Sequence, residues 1–172
     1  MSTNTDTPLI WNDRLLLGFP EIDAEHREFV ACVQALQQAG ADTVAERLDD
    51  FAQHARKHFG SEDRWMQDTG FPARQCHIDE HAAVLKSVAE VQALVAAGNT
   101  AIVKSLADEL ARWFPGHADY LDSALAAWLS KQRWGAKPVV LRRKLGGPAE
   151  GAALNTETTT QPALQPIYAV KT

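Results

Sequence analysis

Apolar residues recur at three- and four-residue intervals along most of the chain, the spacing of amphipathic helices. After Asp23, which reads as an N-cap, His26, Phe29, Val30, Val33 and Leu36 form a first stripe that Gly40 ends. Thr43-Val44-Ala45-Glu46 has the capping-box pattern. It opens a second stripe of Val44, Leu48, Phe51, Ala55, His58, Glu62 and Trp65, broken at Gly70-Phe71-Pro72. A third runs through His77, His81, Val84, Val88, Val91 and Val95 to Gly98. The fourth follows Asn99-Thr100 with Val103, Leu106, Leu110, Trp113 and His117, and continues to about residue 129. No alternating strand pattern and no glycine-rich phosphate loop interrupts the series. Four such helices with short loops predict an all-α fold, an antiparallel up-and-down four-helix bundle.

Composition sets the limits of that bundle. Residues 1–130 hold 20 acidic and 10 basic side chains, whereas residues 131–172 hold 2 and 7. After Trp134 the chain turns rich in Pro, Gly and Thr and cannot supply a core. The boundaries expected are an N-terminal arm at 1–22 holding Trp11, a bundle at 23–134, and a largely disordered C-terminal tail at 135–172. Within the tail, Val139-Val140-Leu141 is an apolar piece able to dock. A chain of 172 residues, 45% apolar, has room for one ordinary domain. No apolar run reaches the roughly 18 residues a membrane span needs. The polar start Met1-Ser2-Thr3-Asn4-Thr5-Asp6 carries no secretory pattern, and Cys32 and Cys76 make no disulfide framework. The expectation is a cytoplasmic monomer. The basic stretch Lys131, Arg133, Lys137, Arg142-Arg143-Lys144 has only Trp134 as an aromatic companion, so it reads as solvated, with no nucleic-acid partner.

The stripes carry unusual cargo. His26, His58, His77, His81 and His117, five of the six histidines, lie on inward faces together with Glu62. A buried carboxylate costs several kcal/mol unless paired or coordinated, and no lysine or arginine lies on a stripe to pair with it. A metal is the economical explanation. His58-x-x-x-Glu62 and His77-x-x-x-His81 are i,i+4 pairs that project side by side. His117 and Asp122 lie five apart, about 140° round an ideal helix, which is awkward for one site. Pro115-Gly116 just before them should kink the helix, and this kink could turn Asp122 inward. Five nitrogens and two carboxylates exceed one tetrahedral zinc and suit a bridged pair of transition ions. Donor type alone leaves iron, copper and zinc open.

Taken in order, Trp11, Gly18, Ile22-Asp23-x-x-His26, His58-Phe59-x-x-Glu62-Asp63-x-x-Met66, Gly70-Phe71-Pro72, His77-x-x-x-His81 and Trp113…His117-x-x-x-x-Asp122 resemble a bacteriohemerythrin, over roughly residues 10–130. That resemblance implies a non-haem di-iron centre binding oxygen reversibly, for storage or for delivery to an oxygen-consuming enzyme, with no catalysis of its own. His77, His81 and His117 would hold one iron, coordinatively full. His26 and His58 would hold the other, with one vacancy for oxygen. Glu62 and Asp122 would bridge the two with a solvent-derived oxo or hydroxo group. Oxygenating di-iron bundles use Glu-x-x-His pairs, a motif this sequence lacks. Phe29, Val30, Trp113 and Phe114 are the expected walls of a dry oxygen pocket. Relatives commonly show Trp-Leu where this chain has Trp113-Phe114, and Pro115-Gly116 is also unusual, so the pocket could be narrower. A di-iron sensor, or an enzyme handling peroxide or nitric oxide, is the alternative. Among other residues, His54 reads as surface, with a place behind the ligands as the alternative, Asp63 as solvated with an option of orienting a ligand imidazole, Cys76 as a bystander thiol and Cys32 as a packing residue.

Overall fold

The computed structural model describes residues 8–140. It contains a short 3-10 turn at Asp13–Leu15, then α1 (Pro20–Gln38), α2 (Val44–Asp68), α3 (Arg74–Ala96) and α4 (Ile102–His117). A π-helical turn at Ala118–Asp122 joins α4 directly to α5 (Ser123–Trp134), so the last two helices form one long fourth rod. No strand occurs among the described residues. Helix α1 packs on α2 and α4, and α3 packs on the same two, which closes a four-rod bundle. The all-α bundle read from the stripes is the fold.

Burial follows the stripes. Phe29, Val33, Phe51, Ala55, Val84, Val88, Val103, Leu106 and Leu110 are buried in one core on the side of the metal-type residues toward the α1–α2 and α3–α4 connections. A second, smaller core of Leu17, Phe19, Ile22, Met66, Phe71, Leu125, Ala126 and Leu129 sits at the other end. The histidines lie between the two, so the polar cluster is sealed above and below by apolar packing.

Helix ends depart from the sequence expectation in three places. Helix α1 starts at Pro20, whose ring suits the first helical position. Asp23 therefore lies inside the first turn, and its carboxylate instead accepts the backbone N–H groups of Leu17 (2.7 Å) and Gly18 (3.0 Å), pinning the arm to the helix. Thr43 heads α2 without a side-chain cap; its hydroxyl donates to the Gly40 carbonyl, so the capping box does not form. Helix α1 stops at Gln38, two residues before Gly40, with an extended residue as its cap. The end of α2 does follow the glycine rule. Gly70 takes φ +63°, the N–H groups of Gly70 and Phe71 reach back to Gln67 and Met66, and Phe71 joins Met66 in the smaller core.

The apolar piece of the tail meets the arm. Pro138 and Val140 are partly buried, while Val139 is exposed. A Cβ at Gly18 would come within 2.9 Å of Pro138 and 3.1 Å of Val140, at a φ of +79°, so only glycine fits this crossing. The expected disorder from residue 141 onward lies outside the described residues. No helix among the described residues is long and apolar enough to cross a membrane.

Candidate metal centre

Each of the four rods contributes inward donors because its stripe places a polar residue where its neighbours carry apolar ones. Helix α1 supplies His26, α2 supplies His58 and Glu62, α3 supplies His77 and His81, and the fourth rod supplies His117 and Asp122. All seven are 0–4% exposed. Sequence spacing left Asp122 on the wrong face, and the π turn resolves it. The Ser123 N–H bonds to the Ala118 carbonyl, five residues back. Such a turn adds one residue, which brings positions five apart to where positions four apart lie in a regular helix. Pro115 sits inside α4 just upstream, where it can donate no backbone bond.

The donors fall into two groups that share a carboxylate: Glu62, His77, His81, His117 and Asp122 in one, and His26, His58 and Glu62 in the other. The Nε2 atoms of His77 and His81 each lie 3.2 Å from Nε2 of His117. Neighbouring ligands of one ion at about 2.1 Å take up a similar separation when they subtend roughly a right angle. The carboxylates divide their oxygens between the groups. Asp122 sets Oδ1 3.0 Å from His77 Nε2 and 3.2 Å from His117 Nε2, and Oδ2 3.0 Å from His26 Nε2. Glu62 sets Oε1 3.2 Å from His58 Nε2, and Oε2 3.3 Å from His81 Nε2 and 3.6 Å from His77 Nε2.

Several of these contacts are close without being hydrogen bonds. His26 Nε2, Glu62 Oε2 and both Asp122 oxygens are buried and lack an aligned hydrogen-bond partner. Buried polar atoms are otherwise nearly always satisfied, and lone pairs converging on a common point fit a cation better than one another. The residues present fit two metal ions.

Proton affinities carry the same signature. Burial alone would lower the His117 pKa, but the Asp122 carboxylate, with help from Glu80 and Glu62, pushes it up to about 10. Burial also opposes charge on His81 and His26, yet the Asp63 carboxylate beside His81 and the Asp122 carboxylate beside His26 raise both. Asp122 is held well below the usual carboxylate range by His117, His26 and His77 against its own burial. Burial and Asp122 oppose ionisation of Glu62 as well, and His58 and His81 overcome them. Cationic charge is what this cluster favours.

The surroundings divide the four expected pocket walls. Phe114 is fully buried, stacks on Phe29 at 4.3 Å, and stands edge-on to His26 at 5.0 Å. Phe29 in turn stands edge-on to His58 at 6.0 Å, and Val30 is buried in the adjoining core. Trp113 lies over the His117 ring at 4.3 Å, with its ring 6.3 Å from Phe29. Phe59, next to His58 in the sequence, lies flat on His81 at 4.1 Å and touches His58 at 5.3 Å, so it spans both groups.

Two outer residues read differently in three dimensions. Asp63 takes the orienting option, with Oδ1 2.8 Å from His81 Nδ1. His54 is not a surface residue: its side chain is only 8% exposed, with Nδ1 3.4 Å from Glu28 and its ring 5.5 Å from His58. Burial lowers its pKa to about 4. Glu80 escaped the sequence reading altogether, although its Oε2 lies 3.0 Å from His117 Nδ1. It precedes His81 by one residue, about 100° off the stripe, and only the approach of α4 brings it a partner.

Comparison with known proteins agrees with this site. Residues 17–129 match the Hemerythrin family, described as the Hemerythrin HHE cation binding domain. A bacteriohemerythrin of Ralstonia nicotianae is 34% identical over 122 residues, covering 71% of this chain and 89% of that protein. A bacteriohemerythrin of Stenotrophomonas maltophilia is 30% identical over 122 residues, covering 69% and 79%. A myohemerythrin of Riftia pachyptila is 24% identical over 122 residues, covering 71% and 94%. The chain belongs to the hemerythrin family, and its buried histidine and carboxylate cluster is of the kind that holds metal.

Proposed function

We propose that this protein binds oxygen reversibly at a pair of iron ions and serves to store oxygen or deliver it to an oxygen-consuming enzyme. The single observation behind the reading is the division of each carboxylate between two histidine groups, one oxygen of Asp122 and of Glu62 to each. In this reading His77, His81 and His117 would hold one ion and His26 and His58 the other, with Glu62 and Asp122 shared between them. The iron pair, when bound, supplies the affinity for oxygen and the electrons it borrows reversibly. The chain's own residues do the rest. The first group has three imidazoles and the second has two, so the position for an added ligand lies beside His26 and His58. Phe29 and Phe114 wall that side with buried hydrocarbon and keep water, hence protons, from it. Imidazole donors, being neutral, leave the ions less electron-rich than a carboxylate set would, which favours release of intact oxygen over its cleavage.

A second reading, a di-iron protein that turns over peroxide or nitric oxide or senses oxygen, draws on His54 and Glu25. Each has a buried polar atom without an aligned partner, and both interact with His58. Polar groups there could feed protons to the site.

The test loads the full chain with ferrous iron under anaerobic conditions. Two irons per chain, with a visible band that grows in air and bleaches under vacuum, support oxygen carriage. Loss of that cycle ends the first reading, and steady consumption of peroxide or nitric oxide with retained iron favours the second.

A further inference from the structure

The outer partners of the five imidazoles are unevenly distributed. In the three-histidine group, His81 Nδ1 meets Asp63 at 2.8 Å and His117 Nδ1 meets Glu80 at 3.0 Å. Trp113 lies over the His117 ring at 4.3 Å, against the same imidazole that Glu80 holds. His77, the third member, and both histidines of the other group, His26 and His58, have buried Nδ1 atoms without a hydrogen-bond partner among the described residues. Asp63 and Glu80 stand at the rim, 28% and 24% exposed, and their ion pairs are with these histidines.

An imidazole whose Nδ1–H donates to a carboxylate is fixed in the tautomer that turns its Nε2 lone pair inward, and it is a stronger electron donor to whatever Nε2 binds. Two of three donors in one group have this aid; in the other neither Nδ1 is hydrogen-bonded, and the Glu25 carboxylate acts on His58 only through space. We propose that Asp63 and Glu80 are positioning residues that make the two ion positions unequal: the His77–His81–His117 position binds iron more tightly and stabilises its ferric state, leaving the His26–His58 position as the looser, more easily reduced one. This rests on the di-iron reading above and adds to it an order of filling and a direction of redox asymmetry.

Ferrous iron alone, titrated anaerobically into the metal-free chain against a competing chelator, reads out the order of filling. The unaltered chain is expected to bind in two steps. Asp63→Asn and Glu80→Gln keep the shape and an acceptor oxygen but remove the charge. Each is expected to weaken the tighter step tenfold or more, the usual cost of losing an outer partner of a ligand, and to leave the looser step in place. Each should also raise the reduction potential of the loaded protein, a change that a merely structural role would not produce. Glu21→Gln, which breaks an exposed ion pair with Arg133, is the control and should change neither reading. Thermal midpoints of the metal-free variants check that the bundle still folds. Unchanged steps and potential in both variants, or weakening confined to the looser step, would overturn the proposal while leaving the oxygen cycle of the unaltered chain standing. A chain that takes up no iron would sink both.

Discussion

A single carboxylate can do several jobs in this bundle, depending on what faces it. Asp23 looks like a helix cap by position but closes the arm, accepting two backbone N–H groups from Leu17 and Gly18 in a nearly buried setting. Asp23→Ala leaves both donors unsatisfied, and the expected loss is about 1–3 kcal/mol of stability, read from the urea midpoint; a variant unfolding at the original midpoint would refute the pinning role. Phe114 is the second residue on which much turns. Its stack on Phe29 and its edge contact with His26 fill the space beside the two-histidine group. Phe114→Leu is expected to cost about 1–3 kcal/mol, the range of ordinary core substitutions, and to hasten decay of the oxygenated colour by admitting water. Timed spectra of the loaded variant check this, with equal or slower decay counting against the wall assignment. The role of Asp23 could not be read from its position, because it depends on atoms of the arm, whereas Phe114 was expected as a pocket wall and the structure adds its stack on Phe29.

At the scale of elements, the fourth rod is the informative one. A regular helix would place His117 and Asp122 about 140° apart, yet both are buried and 3.2 Å from each other, because the turn between them is wound more loosely. Tyr120, the middle residue of that turn, is 65% exposed. Deleting Tyr120 makes the pair i,i+4 in ordinary α-helical winding and keeps Leu125, Ala126 and Leu129 of α5 inward. The variant is expected to fold cooperatively with a thermal midpoint within about 5 °C of the parent, a shift on the order of 1–2 kcal/mol for a domain of this size. Inserting one alanine after Tyr120 rotates α5 by about 100° and should abolish cooperative unfolding. If deletion proved as damaging as insertion, the account of the π turn would fail. Pro115 and Gly116 announced an irregularity here in the sequence, but its kind follows from the backbone bond of Ser123 to Ala118.

The whole molecule encloses its charges, and its stability therefore depends on pH. In the metal-free protein His117 has its pKa raised from 6.5 to about 10, and His81 and His26 are raised as well. Protonated in the fold more readily than in the open chain, these groups contribute stability that is complete below about pH 6.5 and declines as pH rises towards 10. Glu62 and Asp122 are shifted the other way, so their contribution is complete above about pH 4.5 and is lost as acid protonates them. Burial of His54 lowers its pKa to about 4 and adds a loss as pH falls below 6.5. The metal-free chain should thus have its highest thermal midpoint near pH 6.5 and lose stability from there to 10. A midpoint that rises over that alkaline range would contradict the charge arrangement. Metal displaces those protons, so iron should bind more tightly as pH rises and should raise the thermal midpoint by mass action.

The sequence by itself determined the four rods, the inward position of His26, His58, Glu62, His77, His81 and His117, and the need for a cation among them. Each of these follows from a repeat of 3.6 residues and from the cost of an unpaired buried carboxylate, both local matters. Tertiary structure decided the rest: how Asp122, which spacing alone set off the stripe and only the family resemblance assigned, turns into the cluster, that its two oxygens reach different histidines, that Asp63 and Glu80 stand behind one group only, and that His54 is covered. Those outcomes depend on distances between helices that are remote in sequence, and on one turn whose winding no stripe records.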